Sequence, residues 1–499
     1  MRRLLFVLCI PVSAIYVSGC MVGPRYQRPA ANAPEVYRGA TAPDAALDID
    51  SQNHPSQMIS VQELERERSK TTSLGDEKWT EVFRDPTLQR LIREALANNY
   101  DVRIAAQRVL EQQDQVGITR AQQFPTVNGG GSYTAVGLPS ALVKRLNSGG
   151  NPNGNTSSSF YAGGFTLSAA WNLDFWGLYR RQTEAARAQL LATEWGRRMT
   201  ISTVVETVAT AYLQLQTLGA ELEITKQTLE ARKQSLELTT TLEQGGSGTL
   251  ADVRQAEQLF YTAAAAIPDF ERQIEQQENS ISILLGRNPG PIVRGASEMN
   301  WPQPAEIPAG IPSRLLERRP DIQQAEAELA AANANVGVAK AQLFPQLSLS
   351  GTGGTSSNQL KGLVDGKNLY WYATGNLTQN IFDAGRLRKN VRLTEAQKQE
   401  QVLTYQRTIR QAFQSVSDAL IGLQKFREQR EQEAQLTASA QDATRLARLR
   451  YNGGSTSYLE VLTNDTNYYS AQLNLAVAQE DEAVSIVQLY SALGGGWQE

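Results

Sequence analysis

The sequence has few of the residues that most enzymes use for catalysis or for binding metals. Its 499 residues include one histidine, His54, and two cysteines, Cys9 and Cys20. It has no CxxC or HExxH pair, no phosphate-binding glycine loop and no serine-centred elbow of a hydrolase. We therefore expect no catalytic residue, no metal site and no cofactor apart from a covalent lipid, and the chain is predicted not to be an enzyme.

Two further absences narrow the class of protein. Basic residues are not clustered with aromatic ones, and the net charge is −3, so the features of a nucleic-acid-binding protein are missing. Beyond residues 1–19, no run of about 18 consecutive apolar residues predicts a transmembrane helix. If the chain crosses a membrane, it must therefore do so through the strands of a closed barrel.

The N-terminus predicts a secretion signal that ends at a lipidated cysteine. Two arginines precede an apolar run over residues 4–17, and small residues then lead directly to Cys20. This arrangement resembles the lipobox of bacterial lipoproteins, in which the cysteine becomes the acylated N-terminus; the alternative is an ordinary signal peptide with an incidental cysteine. Met21 stands where an aspartate would favour retention in the inner membrane. We therefore expect an outer-membrane protein whose lipid is attached to Cys20.

The body of the chain contains two copies of one structural unit. At an offset of 220 residues, Asp101, Ala105, Val116, Gly117, Ala121, Gln122, Phe124 and Pro125 recur as Asp321, Ala325, Val336, Gly337, Ala341, Gln342, Phe344 and Pro345. At an offset of 208 residues, Gly177, Gly246, Ser247, Val253, Leu285 and Gly286 recur as Gly385, Gly454, Ser455, Val461, Leu493 and Gly494. The two offsets differ because the first copy has the longer loop between Pro125 and Gly177.

The sequence of each unit predicts a helix, a β-hairpin and then a long helical hairpin. The first helix ends at Phe-Pro, because proline cannot continue a helix. Alternating stretches rich in Gly, Ser and Thr follow and predict hairpins over residues 126–175 and 346–382. Two helices of about 65 residues come next, roughly over 178–243 and 386–451. Their apolar residues have the spacing of a coiled coil: Ile201, Val205, Val208, Tyr212 and Leu215 in the first helix, and Ile409, Phe413, Val416, Leu420 and Leu423 in the second. With their return helices they form helical hairpins over residues 178–286 and 386–493.

These patterns divide the whole chain. We predict a signal peptide 1–19, the acylated cysteine and an extended segment 20–78, a first repeat 79–290, a linker 291–312, a second repeat 313–494 and a tail 495–499.

Two hairpins give four strands per chain, which is too few for a barrel. Bacterial barrels begin at eight strands, and an open sheet would leave unpaired edges in lipid. Hairpins that insert into a membrane must therefore combine several chains, and three copies would supply twelve strands. The predicted fold class is α+β: a trimeric channel-tunnel whose 12-stranded outer-membrane β-barrel continues into a periplasmic α-helical coiled-coil barrel.

The ordered motifs resemble those of the TolC superfamily of outer membrane efflux proteins, in the lipoprotein branch that serves resistance-nodulation-division pumps. They are Arg319-Pro320-Asp321, Ala341-Gln342-Leu343-Phe344-Pro345, Ile381-Phe382-Asp383-Ala384-Gly385-Arg386, Tyr458-Leu459-Glu460-Val461-Leu462 and Ala492-Leu493-Gly494-Gly495-Gly496-Trp497. The resemblance implies a homotrimer that docks to a periplasmic membrane-fusion adaptor and an inner-membrane transporter. It would passively conduct drugs or other small toxic compounds from the periplasm to the exterior.

The resemblance also implies a gate at the periplasmic end of the second helical hairpin. Tyr451 matches the tyrosine that holds the family's channel shut, and Glu460 matches an acidic residue that narrows the pore. Thr463 stands where a second acid is expected, and Asp465 lies two residues further on. Three copies of Glu460 around an axis would attract cations. The alternative is that Glu460 only interacts with the helix dipole.

The glycine-rich turns are the predicted contacts with the adaptor. They comprise Gly245, Gly246 and Ser247 in the first repeat and Gly453, Gly454 and Ser455 in the second. Glycines in this position also end helices without any further role, so the adaptor contact is implied by the resemblance alone.

Two other functions remain open from the sequence. The first is the outer-membrane channel of a type I protein secretion system. The second is a non-conducting trimeric structural lipoprotein, which would explain the coiled coils and the lipid but not the paired hairpins. The sequence predicts neither the transported compounds nor the partner pump.

Overall fold

The computed structural model describes residues 21–30, 34, 37–38, 73–137, 139, 159–295 and 312–498. The predicted signal peptide, the lipidation of Cys20 and most of the two non-repeat segments, 20–78 and 291–312, fall outside these residues. The chain forms two compact units, and each unit contains parts of both repeats. The first comprises Met1–Arg28, Leu110–Leu191 and Ala327–Leu403, and the second Pro29–Val109, Ala192–Glu326 and Thr404–Glu499.

The helices and strands follow the same order in both repeats. The first repeat has α1 (Trp79–Val82), α2 (Pro86–Asn98), α3 (Tyr100–Ala121), β1 (Thr126–Gly137), β2 (Ser159–Leu173), α4 (Leu178–Gln244) and α5 (Leu250–Leu284). The second has α6 (Pro312–Arg318), α7 (Pro320–Ala341), β3 (Gln346–Ser357), β4 (Leu369–Thr378), α8 (Arg386–Asn452) and α9 (Tyr458–Ala492). The long helices α4 and α8 each have 67 residues and lie within one residue of their predicted limits.

The first unit contains a four-stranded antiparallel sheet in the order β1-β2-β3-β4. Thr126 lies opposite Ala170 in the first hairpin, and Gln346 lies opposite Thr378 in the second. These pairs are related by the two repeat offsets, so both hairpins have the same register. Pairing of β2 with β3, for example Leu173 with Leu347, joins the two hairpins into one sheet.

The sheet has one apolar face and one mainly polar face, because paired residues point to the same side. Odd-numbered residues form the apolar face, which carries Val127, Tyr133, Phe165, Leu167, Trp171, Leu347, Leu349, Leu369, Trp371 and Leu377. Even-numbered residues form the other, which carries Asn128, Ser132, Thr134, Thr166, Ser168, Ser348, Ser350, Thr352, Thr374 and Asn376. Val136, Tyr370 and Tyr372 interrupt the polar pattern. Alternation of this kind suits a sheet with lipid on one side and water on the other.

The second unit is held together by the apolar seams of the long helices. The predicted heptad residues of α4, from Ile201 to Leu215, are at most 8% exposed. In α8 the matching seam is also buried, except that Phe413 is only partly covered and lies 6.3 Å from the ring of Tyr37. Tyr212 adds a polar contact: its hydroxyl donates to Asp85 at 2.9 Å and accepts from the backbone N–H of Gly295 at 3.1 Å.

No helix in the described part of the chain is both long and apolar enough to cross a membrane.

Candidate functional site

The predicted contact turns at the ends of α4 and α8 have the same backbone structure. Gly246 and Gly454 adopt φ values of +74° and +71°, in the left-handed region that glycine tolerates best. The following serine N–H donates five residues back, from Ser247 to Leu242 and from Ser455 to Arg450. These are Schellman turns, which satisfy the last carbonyls of each helix. The glycines are thus needed for the fold, whatever else the turns do.

A small apolar cluster lies directly behind the second turn. It contains Ala256, Ala447, Tyr458, Val461 and Leu462, with Leu236, Leu259 and Tyr451 packed against it. The rings of Tyr451 and Tyr458 are 5.2 Å apart. Burial raises the pKa of Tyr451, and that of Tyr458 to about 12, so both phenols stay neutral at physiological pH. Tyr451 therefore links the turn to residues of both helical hairpins.

In the described chain the side chain of Asp465 is buried, whereas an acid that lines a pore would face solvent. It is 8% exposed and accepts hydrogen bonds from Arg232 at 2.9 Å and from Arg448 at 3.0 Å. Arg232 is 3% exposed and also donates to the carbonyl of Leu259 at 3.1 Å. This network, which we call the Asp465 cluster, connects α4, α5, α8 and α9.

Glu460 and Thr463 lie on a more accessible part of α9. Glu460 accepts a hydrogen bond from Arg450 at 2.7 Å and another from the hydroxyl of Thr456. The Thr463 side chain is exposed, and its hydroxyl donates to the carbonyl of Leu459 at 2.9 Å. The structure therefore brings Glu460 next to a cation of the same chain, while Thr463 makes only a helix-internal bond.

Sequence reasoning missed the two arginines of the Asp465 cluster. Arg232 is 233 residues away from its carboxylate partner, and many arginines occupy similar positions on the long helices. An Asp at a core-facing position of a coiled coil was the signal available, because an unpaired buried carboxylate is costly and predicts a basic partner. Among the described residues, no group of three or more His, Cys, Asp or Glu side chains could hold a metal ion.

Comparison with known proteins identifies the family to which this chain belongs. The model of the outer membrane efflux protein family matches residues 91–287 and 311–495. The chain belongs to the outer membrane efflux protein family. Each matched segment corresponds to one repeat, and only residues 311, 312 and 495 fall outside the repeats. The family model therefore covers both copies of the duplicated unit. The family is one of channels for efflux and not a family of enzymes.

Relatives and solved structures agree with the family match. A toluene efflux pump outer membrane protein of Pseudomonas putida, TtgC, is 34% identical over 99% of this chain and 96% of its own length. The cation efflux system protein CusC of Escherichia coli is 31% identical over 97% of this chain and 98% of its own. A crystal structure of CusC superposes with a TM-score of 0.81 at 30% identity, covering 96% of this chain and all of that one.

A second solved structure gives the same result. The open state of the outer membrane channel MtrE of Neisseria gonorrhoeae superposes with a TM-score of 0.81 at 27% identity, covering 96% of this chain and 99% of that one. The predicted channel-tunnel fold and its place in the outer membrane, with the helices on the periplasmic side, are therefore confirmed. This efflux family member provides the exit through the outer membrane.

Proposed function

We propose that three copies of the chain form the outer-membrane duct of a tripartite pump. The duct passively conducts small toxic compounds out of the periplasm and catalyses no reaction. The observation that supports this most directly is the sheet of four strands with open edges at β1 and β4. Such edges are unfavourable in lipid unless they are paired. Three sheets provide twelve strands, a number within the range of closed bacterial barrels.

The repeat predicts how neighbouring copies pair. Within one chain β2 pairs with β3, and Ser168 lies opposite Thr352. The position equivalent to Ser168 in the second repeat is Asn376 on β4, 208 residues later. The position equivalent to Thr352 in the first repeat is Ser132 on β1, 220 residues earlier. The same geometry between copies therefore places Asn376 of one chain opposite Ser132 of the next. It also continues the apolar and polar faces around the ring, with water inside.

Cys20 carries the lipid in this proposal. The lipobox pattern supports it, and the lipid would anchor each copy in the outer membrane. Mass spectrometry of the mature N-terminal peptide tests this part separately: a diacylglyceryl group with an amide-linked acyl chain is expected, and an unmodified cysteine would contradict it.

The two Schellman turns are the proposed contacts with a periplasmic adaptor, which in turn connects to an inner-membrane transporter. Their side chains are small, so the backbone of a partner can approach closely. Ser455 is exposed to a partner at the end of the second helical hairpin, and its hydroxyl already donates to the carbonyl of Arg450 at 3.0 Å. The second turn lies between Arg448 on α8 and Asp465 on α9, so contacts there would act on the helix ends next to the Asp465 cluster.

Photo-crosslinking at Ser455 in living cells tests the partner. A photoreactive residue at this position is expected to capture the adaptor of a resistance-nodulation-division system, identified by mass spectrometry. The same residue at exposed Gln276, in the C-terminal half of α5, is the matched control and should capture less of it.

The other outcomes separate the alternatives. Capture of an adaptor for an ATP-driven exporter would assign the channel to type I protein secretion. Purified protein that forms no conducting pore in planar bilayers would overturn the duct itself and favour a structural lipoprotein.

The relatives support a duct that does not choose its cargo. TtgC is named for toluene and CusC for cations, although both resemble this chain over nearly its whole length. Such different compounds are compatible with one duct architecture if selection takes place in the transporter. We therefore propose the cargo class only as small toxic compounds.

A further inference from the structure

A buried arginine binds the backbone of the segment that directly follows Cys20. Arg181 lies in the first turn of α4 and is only 1% exposed. Its Nε donates to the carbonyl of Val22 and its Nη2 to the carbonyl of Gly23, both at 3.1 Å. Its Nη1 forms an ion pair with Glu184 at 2.7 Å. A fully buried guanidinium is unusual unless its donors are used, and here they are used on the N-terminal segment.

Two further hydrogen bonds hold the same segment. The backbone N–H of Val22 donates to the carbonyl of Trp176 at 3.1 Å. Asn333, which is 1% exposed, donates to the carbonyl of Pro24 at 3.1 Å. Residues 22–24 are therefore bound through their backbone by residues that precede α4, begin it and lie on α7.

Three glycines make the close approach possible. A Cβ atom on Gly23, whose φ is +106°, would lie 2.5 Å from Cα of Gly337. A Cβ on Gly337 would lie 2.8 Å from Nε of Arg181, and one on Gly177 would lie 2.8 Å from Cγ of Met21. Contacts below 3.0 Å require atoms to move, so this groove fits the segment only while these positions lack side chains.

Because the groove is built from both repeats, the duplication gives a second set of positions that also comes from both repeats. Gly117 and Gly385 correspond to Gly337 and Gly177, and Lys389 corresponds to Arg181. In the single chain, no described atom apart from those of the chain neighbours and the adjoining helix backbone lies within 4 Å of a Cβ built on Gly117 or Gly385. Lys389 is exposed. A lysine at the corresponding position shows that the repeated fold does not itself require an arginine. The bonds to residues 22–24 give the reason for an arginine at position 181.

We propose that Arg181 is the receptor for the mature N-terminus and fixes where the lipid of Cys20 enters the membrane. Cys20 directly precedes Met21 in the sequence. Met21 contacts Gly177, four residues after the end of β2. Docking thus places Met21, the residue that follows Cys20 in the sequence, beside the junction of sheet and helix, where the apolar face of the sheet ends. The docking rests on the geometry alone, while its effect on the lipid depends on the proposed lipidation of Cys20.

An arginine fits this role better than a lysine. The planar guanidinium presents several N–H donors in fixed directions and can therefore bind two successive carbonyls and Glu184 at once. A lysine ammonium is a single flexible point of charge and is costlier to bury. Arg181→Lys is therefore expected to hold the segment less well than the native residue, although it keeps the charge.

Electron paramagnetic resonance tests the docking. Cys9 lies in the predicted signal peptide and Cys20 is blocked if acylated, so Arg25→Cys introduces a single thiol for a nitroxide label at an exposed position. In otherwise native trimers we expect an immobilised spectrum. Arg181→Gln should at least double the mobile fraction, whereas Arg187→Gln, at an exposed position on the same helix, should leave it unchanged.

Two glycine variants give a matched comparison. Gly337→Ala should release the segment as Arg181→Gln does, whereas Gly117→Ala, at the corresponding place of the first repeat, should not change the spectrum. Equal spectra for the native residue, Arg181→Gln and Gly337→Ala would overturn the proposal. Label uptake by a chain that keeps Arg25 would instead show a free Cys20, which contradicts the lipidation and not the docking.

Discussion

Two acids of α9 show how nearby residues on one helix acquire different roles. The sequence identified Glu460 and Asp465 as gate candidates, and both lie near the second turn. Glu460 is partly exposed and pairs with Arg450, ten residues before it, whereas Asp465 is buried between arginines of α4 and α8. Sequence spacing can suggest the first pair but not the second, because the packing of the long helices decides which arginine is adjacent.

Removing the buried carboxylate should loosen the helices at the Asp465 cluster. Asp465→Ala leaves Arg232, 3% exposed, without its ion-pair partner. Loss of one member of a buried pair costs about 3 kcal/mol, which is roughly a 100-fold change in a local opening equilibrium. We expect hydrogen exchange of peptides covering residues 458–470 to accelerate by about that factor.

An exposed ion pair on the neighbouring helix is the control for this change. Asp442 and Arg445 are paired at 2.7 Å, with side chains 58% and 60% exposed. Surface pairs of this kind contribute about 0–1 kcal/mol, so Asp442→Ala should change exchange in the same peptides by less than about fivefold. Similar acceleration in both variants would show that the Asp465 cluster has no special stabilising role.

The limits of the helices and strands were easier to predict from the sequence than the contacts between them. Proline after Phe124 and Phe344 and glycine after the long helices fix the limits of helices through local geometry, and these predictions agree with the structure closely. The fourth strand ends at Thr378, although the sequence suggested residue 382, because its partner strand β3 begins only at Gln346, directly after Pro345, and offers no further pairing. The long helix α8 begins at Arg386 as predicted, and Asp383 accepts from the N–H groups of Gly385 and Leu387 at its start. Pairing of β2 with β3 could not be derived, because nothing local joins the two hairpins.

Packing of α4 against α9 is expected to depend on pH through Glu221. Burial, reinforced by the carboxylate of Glu480, raises the pKa of Glu221 from 4.5 to about 7. Between these values the folded chain binds more protons than the unfolded chain, so stability falls as pH rises. The contribution of Glu221 is fully present below about pH 4.5 and is lost as pH rises through about 7. The melting temperature should therefore decrease between pH 5 and pH 8.

Circular dichroism melts of matched variants isolate this contribution from other titrating groups. Glu221→Gln should flatten the decrease between pH 5 and pH 8, because an amide does not titrate. Glu223→Gln, at an exposed position on the same helix, should keep the native slope. If the native chain and Glu221→Gln lose melting temperature equally, Glu221 does not couple folding to pH.

At the scale of the whole molecule, the duplication gives information that neither a single residue nor a single element contains. Both hairpins share one register, and the junction of β2 and β3 is the contact of one repeat with the other. In a closed ring of hairpins, every second contact between hairpins must join two different copies of the chain. The chain therefore carries in its own sheet the template for its assembly, with β4 in the place of β2 and β1 in the place of β3.

A disulfide between copies tests this register. Asn376→Cys combined with Ser132→Cys places two thiols opposite each other on the polar face, where an aqueous oxidant reaches them. Within one chain these residues lie on opposite edge strands, three strand spacings or about 14 Å apart, which is too far for a disulfide. We expect oxidised protein to run as covalent dimer and trimer on a denaturing gel and to return to monomer on reduction.

A slipped pair decides whether the register itself is right. Asn376→Cys with Tyr133→Cys moves one thiol by a single residue and so to the opposite face of the sheet, and it should remain largely monomeric. If the slipped pair cross-links as well as the matched pair, the neighbouring copies do not repeat the β2–β3 geometry. A ladder that continues beyond three chains would contradict a twelve-stranded ring, because a closed trimer leaves no strand edge for a fourth copy.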